Sequence, residues 1–181
     1  MDDAHQTFTR VGFWVGVAAM SALVAVSNVL VQFPINDWLT WAAFTYPICF
    51  LVTDLTNRAL GPDAARRVVY VGFALGVVLS VSLASWRIGL ASGTAFLVAQ
   101  LLDVQIFDRL RRSAWWRAPL VSSSLASFID TALFFSLAFA GTGVPWVTLA
   151  LGDFAVKLAM ALAMLLPFRA LMTVTKPRAA T

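Results

Sequence analysis

Six apolar segments, each long enough to cross a lipid bilayer, dominate the 181-residue chain. A transmembrane helix needs about 20 mostly apolar residues, with a range of roughly 17–25. The six segments comprise residues 11–32, 41–57, 67–86, 88–110, 118–140 and 146–168. We therefore expect an all-α integral membrane protein whose single domain, residues 1–181, contains six transmembrane helices. The second segment is the shortest and contains Pro47, which predicts a kink there.

Composition supports a membrane protein and excludes several other classes. The chain is 60% hydrophobic and 12% charged, against roughly 25% charged residues in a soluble domain. The lone cysteine, Cys49, cannot form an internal disulfide, and the lone histidine, His5, cannot form a metal cluster. We therefore predict neither a metal nor a cofactor.

The basic residues indicate how the chain is oriented. Eleven of the thirteen Lys and Arg residues fall on one side of the predicted membrane, whereas Arg87 lies on the other and Lys157 lies within a span. Short cytoplasmic loops carry an excess of Lys and Arg. Both termini of this multi-pass protein are therefore expected in the cytoplasm. The same pattern explains the positive charge without a nucleic-acid partner.

Polar residues inside the spans are the main functional signal. A charged side chain in a span costs roughly 2.5–3.5 kcal/mol on insertion scales, so it needs a partner or a function. Helical periodicity places these residues on one stripe of each of four spans, and the stripes should face one another. The ionisable or amide groups on these stripes are Asp54, Gln100, Asp103, Asp130, Asp153 and Lys157, and a further amide, Asn28, lies in the first span.

Depth narrows the candidates further. Gln100, Asp130 and Lys157 lie near the middle of their spans, with Phe50 at a similar height. Secondary transporters bind their substrates at such a level. Structural explanations remain open for the other acids: Asp153 can pair with Lys157 at i, i+4, and Asp54 and Asp103 can pair with nearby basic loops. Asp130 has no cation within one turn of its own helix, so it needs a partner from another helix or a ligand.

Enzymatic motifs are not evident in the sequence. A Ser-His-Asp triad is excluded because the only histidine is His5, and there is no Gly-rich nucleotide-binding loop. The Gly152-Asp153 pair lacks the remaining motif of an intramembrane aspartyl protease, and Asp63 lacks the further acids of a two-metal site. Movement of a solute is therefore a better interpretation than catalysis.

Several blocks of sequence resemble the queuosine precursor transporter family, also called vitamin uptake transporters. The blocks are TYPI at residues 45–48, FLVTDLTN at 50–57, QLLDV at 100–104 and IDT at 129–131. Arg58 and Leu60 depart from the family, which commonly has Glu and Tyr there. The resemblance implies a six-helix inner-membrane importer of a 7-deazaguanine, above all 7-cyano-7-deazaguanine, for queuosine synthesis in tRNA.

Site roles follow from this resemblance together with the chemistry of a guanine-like base. Asp130 could accept the adjacent N1–H and amino donors, while Gln100 or Lys157 donates to O6. An aromatic ring could stack on the base, and the candidates are Phe50, Phe96 and Phe134. Asn28, Tyr46 and Ser127 complete the predicted binding set. The candidates for proton coupling or gating are Asp54, Asp103, Asp153, Asn57 and Arg87.

Two transport mechanisms fit the sequence. In the first, the chain is a stand-alone facilitator or proton-coupled carrier. In the second, it is the substrate-binding subunit of an energy-coupling vitamin importer and needs an ATP-driven partner. Small residues four apart on the first span, Ala18 and Ala22, would suit docking to that partner or formation of a homodimer.

Overall fold

The computed structural model describes residues 2–30, 33–36, 39–83 and 86–173, and most of them are helical. In chain order the elements are α1 (Asp2–Leu30), β1 (Pro34–Asn36), β2 (Leu39–Thr40), α2 (Ala42–Thr45), α3 (Ile48–Leu60), α4 (Pro62–Leu83), α5 (Trp86–Leu110), α6 (Arg117–Phe139), α7 (Trp146–Ala163) and α8 (Leu165–Met172). The two strands form a short antiparallel hairpin between the first two predicted spans. This hairpin is the one addition to the all-helical expectation within the described residues.

Four helical stretches of the described chain are long and apolar enough to cross a membrane, as expected for a multi-pass membrane protein. They coincide with the first, fourth, fifth and sixth predicted segments and comprise Thr9–Ser27, Trp86–Leu110, Arg117–Phe139 and Trp146–Met172. The second and third predicted segments correspond to α2–α3 and α4, which are not among these four. The count of six spans and the side of the termini therefore stay predictions.

The second predicted segment is interrupted at Pro47, as its sequence indicates. α2 ends at Thr45 and α3 begins at Ile48. The amides of Cys49 and Phe50 bond to the carbonyls three residues earlier, at 3.0 and 3.1 Å, instead of four residues earlier. Proline causes this break because it has no N–H and its ring crowds the preceding turn.

A second interruption, which the sequence analysis did not predict, divides the last segment at Met164. α7 ends at Ala163, and α8 begins at Leu165. Pro167 explains it in the same way, since it cannot donate a hydrogen bond to the carbonyl of Ala163. The sequence signal was present, but it lies at the end of the expected span 146–168.

The bundle buries its polar side chains and exposes large apolar ones. Much of the outer surface consists of residues such as Trp14, Val78, Leu151 and Leu166. The predicted polar stripes do face inward, and their buried members include Thr53, Asp54, Gln100, Asp103, Ser123, Ser127, Asp130 and Lys157. This distribution suits a lipid environment. α3 is the central helix and contacts α1, α4, α5, α6 and α8.

Candidate functional site

Lys157 on α7 lies at the centre of a buried ionic network. Its Nζ is 2.7 Å from Asp130 Oδ2 on α6, 2.6 Å from Asp153 Oδ2 and 3.1 Å from Thr131 Oγ1. Thr131 also donates to Asp153 at 2.8 Å. The interhelical partner that Asp130 required is therefore Lys157, and the i, i+4 pair with Asp153 forms as well. An ammonium group has three protons, so these three acceptors use all of them.

Gln100 and Asn57 bond helices to each other. Thr53 Oγ1 donates to Gln100 Oε1 at 2.6 Å and lies 3.0 Å from the carbonyl of Cys49. Asn57 Nδ2 donates to the carbonyl of Val104 at 2.9 Å. Gln100 therefore bonds to α3 and not to Lys157, although the sequence analysis placed Gln100 and Lys157 at a similar depth.

Asp54 and Asp103 accept hydrogen bonds from serines and do not pair with the loop cations that the sequence suggested. Ser122 Oγ and Ser123 Oγ on α6 each donate to the Asp54 carboxyl at 3.3 Å. Ser123 Oγ is also 3.5 Å from Asp103 Oδ1. Asp103 Oδ2 meets no donor in the described part of the chain. Two carboxyl groups that meet the same serine hydroxyl can lower their mutual repulsion by sharing a proton.

A narrow cavity lies between these two clusters. It is lined by both helix interruptions and by the polar face of α6, and its lining residues are Pro47, Phe50, Leu51, Asp54, Pro119, Ser123, Ser127, Lys157, Ala161, Met164, Leu165 and Phe168. Its interior has room for about one water molecule. Ser127 Oγ is buried and has no hydrogen-bond partner in the described residues. A narrow cavity lined by an unpartnered hydroxyl, a carboxyl and an aromatic ring would suit a small polar ligand if the cavity widened.

The three aromatic candidates are separated in the structure. Phe50 lines the cavity beside Asp54, one turn away on α3. Phe96 packs edge-on against Tyr46, with 6.0 Å between ring centroids, in the apolar cluster that contains Met20. Phe134 packs against Phe135 and Phe139, at 5.2 and 6.0 Å. Of the three candidates, Phe50 thus lines the cavity, and Phe168 lines it as well. Phe96, Tyr46 and Phe134 pack elsewhere.

Arg87 and Asn57 do not line the cavity. Arg87 donates to the carbonyls of Leu137 and Ala140, at 3.0 and 2.6 Å, and so caps the end of α6. Arg111 binds the carbonyl of Asn57 at 2.5 Å, which ties the end of α3 to the segment after α5. The side chain of Asn28 lies outside the described residues.

Sequence reasoning missed part of the cavity wall. Phe168 and Leu165 line it beside the second interruption, and Pro167 was the available signal. The described residues contain no group of three or more His, Cys, Asp or Glu side chains placed to hold a metal ion.

Comparisons with known proteins agree with the blocks found in the sequence. The family model described as "Putative vitamin uptake transporter" matches residues 40–86 and 78–172. The "Queuosine precursor transporter" of Escherichia coli (strain K12) is 33% identical to this chain, in an alignment that covers 86% of this chain and 83% of the relative. The "Probable queuosine precursor transporter" of Haemophilus influenzae is also 33% identical, over 80% of this chain and 79% of the relative. A Bacillus subtilis protein with the same description is 25% identical over 87% and 82%. No solved structure matches the chain significantly.

Proposed function

The chain belongs to the family of vitamin uptake transporters that includes the queuosine precursor transporters, and we propose that it imports a 7-deazaguanine across the inner membrane. The proposed substrates are 7-cyano-7-deazaguanine and closely related bases that serve as queuosine precursors. The relatives' names support the substrate class. The buried polar site supports transport of a solute that forms hydrogen bonds.

Six transmembrane spans with cytoplasmic termini are part of this proposal. Four helices have the length and hydropathy for a span. α4 has 22 residues, and at 1.5 Å per residue it is about 33 Å long, enough to cross the hydrocarbon core. α2 and α3 together supply the remaining crossing, interrupted at Pro47. Discontinuous helices of this kind are a recurring feature of transporter binding sites.

The observation that carries the proposal is the Asp130–Lys157 pair beside the cavity. A guanine-like base presents two adjacent donors, N1–H and the exocyclic amine, next to an acceptor, O6. Asp130 and Lys157 offer the complement, an acceptor and a donor separated by 2.7 Å. When the base inserts between them, Asp130 accepts the two N–H groups and Lys157 turns its proton to O6. Asp153 holds Lys157 in place throughout, at 2.6 Å.

Phe50 and the two helix interruptions complete the proposed mechanism. Phe50 stacks on the planar base at the cavity wall, where aromatic contacts with bases contribute about 1–3 kcal/mol. The cavity has to widen to admit a base, and the interruptions at Pro47 and Met164 both line it. Movement of α2 and α8 about these points would open the cavity to one side of the membrane at a time.

Ligand binding by the detergent-purified protein tests the proposal. A ligand at 100 times its dissociation constant adds about 2.7 kcal/mol to stability, so a deazaguanine should raise Tm measurably. Asp130→Asn should weaken binding at least about tenfold, because a charge-assisted hydrogen bond contributes about 1.5–3 kcal/mol. Asp63→Asn is the matched control, since Asp63 is exposed and pairs only with Arg66 among the described residues. Equal affinity in wild type and Asp130→Asn would exclude the assigned role.

The exposed small residues of α1 are compatible with the energy-coupling alternative. Ala18 and Ala22 are both exposed on α1, where a partner could pack closely against the helix. In that alternative the chain would bind the base but would not transport it alone. Uptake by the isolated chain separates the two mechanisms.

A further inference from the structure

The interior of the bundle holds an excess of negative groups. Four carboxyls, those of Asp54, Asp103, Asp130 and Asp153, lie within two clusters that adjoin one cavity. Lys157 is the one Lys or Arg side chain that is buried in the described residues, and its three protons are already bound. Even with one proton shared between Asp54 and Asp103, the site stays net negative. Buried negative charge of this kind is compensated by further protonation of the carboxyls or by a cation.

The cavity wall near Asp54 offers the oxygen atoms of one carboxyl and two serine hydroxyls. The Asp54 carboxyl receives two long hydrogen bonds of 3.3 Å, from Ser122 and Ser123. Ser127, 1% exposed, lines the same cavity with an unpartnered hydroxyl. A carboxylate and hydroxyl oxygens are the acceptors that a primary ammonium, with its three N–H groups, requires. A nitrile only accepts hydrogen bonds, and here it would meet Ser127 as its one uncommitted donor among the described residues.

We propose that Asp54, Ser123 and Ser127 form a subsite for an ammonium group on the substrate. This inference rests on the proposed function and narrows it. The favoured base is one with a primary amine on its side arm, 7-aminomethyl-7-deazaguanine, rather than the neutral 7-cyano compound. An alkyl amine is protonated at neutral pH, so the substrate supplies the missing positive charge.

The spacing of the two clusters suits such a molecule. Ser123, Ser127 and Asp130 follow one another along the buried face of α6, and seven residues of helix cover about 10 Å. Asp130 and Lys157 therefore bind the base edge at one end, while Asp54 and Ser123 bind the ammonium at the other. Phe50 lies one turn from Asp54 on α3 and lines the cavity with it, which places the ring of the base between the two ends.

Calorimetric titration of purified wild-type protein tests the inference without any variant. The probes are 7-aminomethyl-, 7-cyano- and 7-methyl-7-deazaguanine, the last being neutral and close in size to the aminomethyl compound. We expect the aminomethyl compound to bind at least about tenfold more tightly than either neutral base. Equal affinities, or tighter binding of the cyano compound, would overturn the inference and leave the proposed function intact. Absence of binding by every deazaguanine would overturn both.

Two variants locate the subsite. Asp54→Asn should bring the ratio of aminomethyl to cyano affinity close to one, and Ser127→Ala should lower it severalfold. Ser124→Ala is the matched control, because Ser124 lies on the same helix but does not line the cavity; it should leave the ratio unchanged. A ratio that stays at its wild-type value in both Asp54→Asn and Ser127→Ala would contradict the assignment.

Discussion

Asp130 on α6 and Lys157 on α7 form a buried ion pair, with 2.7 Å between Oδ2 and Nζ. Both side chains are less than a tenth exposed, so water screens the pair little. The pair joins two helices that no salt bridge links elsewhere in the described residues. It is therefore a bond between α6 and α7 as well as the proposed point of substrate contact.

Removing the cation should destabilise the fold strongly. Lys157→Met leaves Asp130 and Asp153 unpaired, and loss of one partner of a buried ion pair costs about 3–5 kcal/mol. We expect a clearly lowered Tm in detergent. The double variant Asp130→Asn with Lys157→Met should recover part of the loss, because one of the two unpaired carboxylates is then gone. A double variant no more stable than Lys157→Met would show that the pair contributes through packing alone.

The Thr53–Gln100 bond gives a prediction about stability away from the cavity. Thr53→Val keeps the shape of the side chain but leaves the buried Gln100 carbonyl without its donor at 2.6 Å. An unsatisfied buried acceptor costs about 1–3 kcal/mol, so thermal unfolding should begin at a lower temperature. Thr53→Ser retains the hydroxyl and should lie closer to wild type. The reverse order of the two variants would contradict this account.

Close packing of α4 on α1 depends on a glycine. A Cβ atom at Gly72 would lie 2.6 Å from Met20 Cγ, well inside van der Waals contact, and overpacking of this kind typically costs about 1–3 kcal/mol. Gly72→Ala should therefore lower Tm. Gly152→Ala is the control, since a Cβ there would meet nothing within 4 Å. Equal stability of the two variants would indicate that α1 and α4 separate freely.

The proposed topology can be tested by thiol labelling. Cys49 is the only cysteine and is fully buried, so Cys49→Ala provides a background. Arg112→Cys lies in the segment between α5 and α6, and Thr142→Cys lies in the segment between α6 and α7; both positions are exposed. A membrane-impermeant reagent added outside spheroplasts should label Thr142→Cys alone. Labelling of both, or of Arg112→Cys alone, would contradict the orientation.

The buried faces were predictable from the sequence, but the partners on them were not. Helical periodicity assigned Gln100, Asp130 and Lys157 to interior stripes, and all three are buried. Their pairing depends on how each helix is rotated and shifted relative to its neighbours, which one sequence does not specify. Hence Lys157 and Asp130 were grouped with Gln100 by depth, whereas in the structure Gln100 accepts a hydrogen bond from Thr53.

The contacts of Asp54 were likewise not predictable from the sequence. Its position in the second span predicted a role in coupling or an ion pair with a nearby loop. The structure places it at the cavity with Ser122 and Ser123 in place of a loop cation, because α6 packs its serine-rich face against α3. The role in coupling stays a prediction. Pro47 predicted its helix interruption correctly, since proline acts locally. Pro167 would have predicted the other one by the same reasoning.

Uptake of a labelled 7-deazaguanine into liposomes containing only this protein tests the central claim most directly. The account predicts saturable uptake well above that of protein-free liposomes, reduced to near background by Asp130→Asn and unaffected by Asp63→Asn. Binding without uptake would favour the energy-coupled alternative. Neither binding nor uptake of any deazaguanine, by protein that remains folded, would contradict the account.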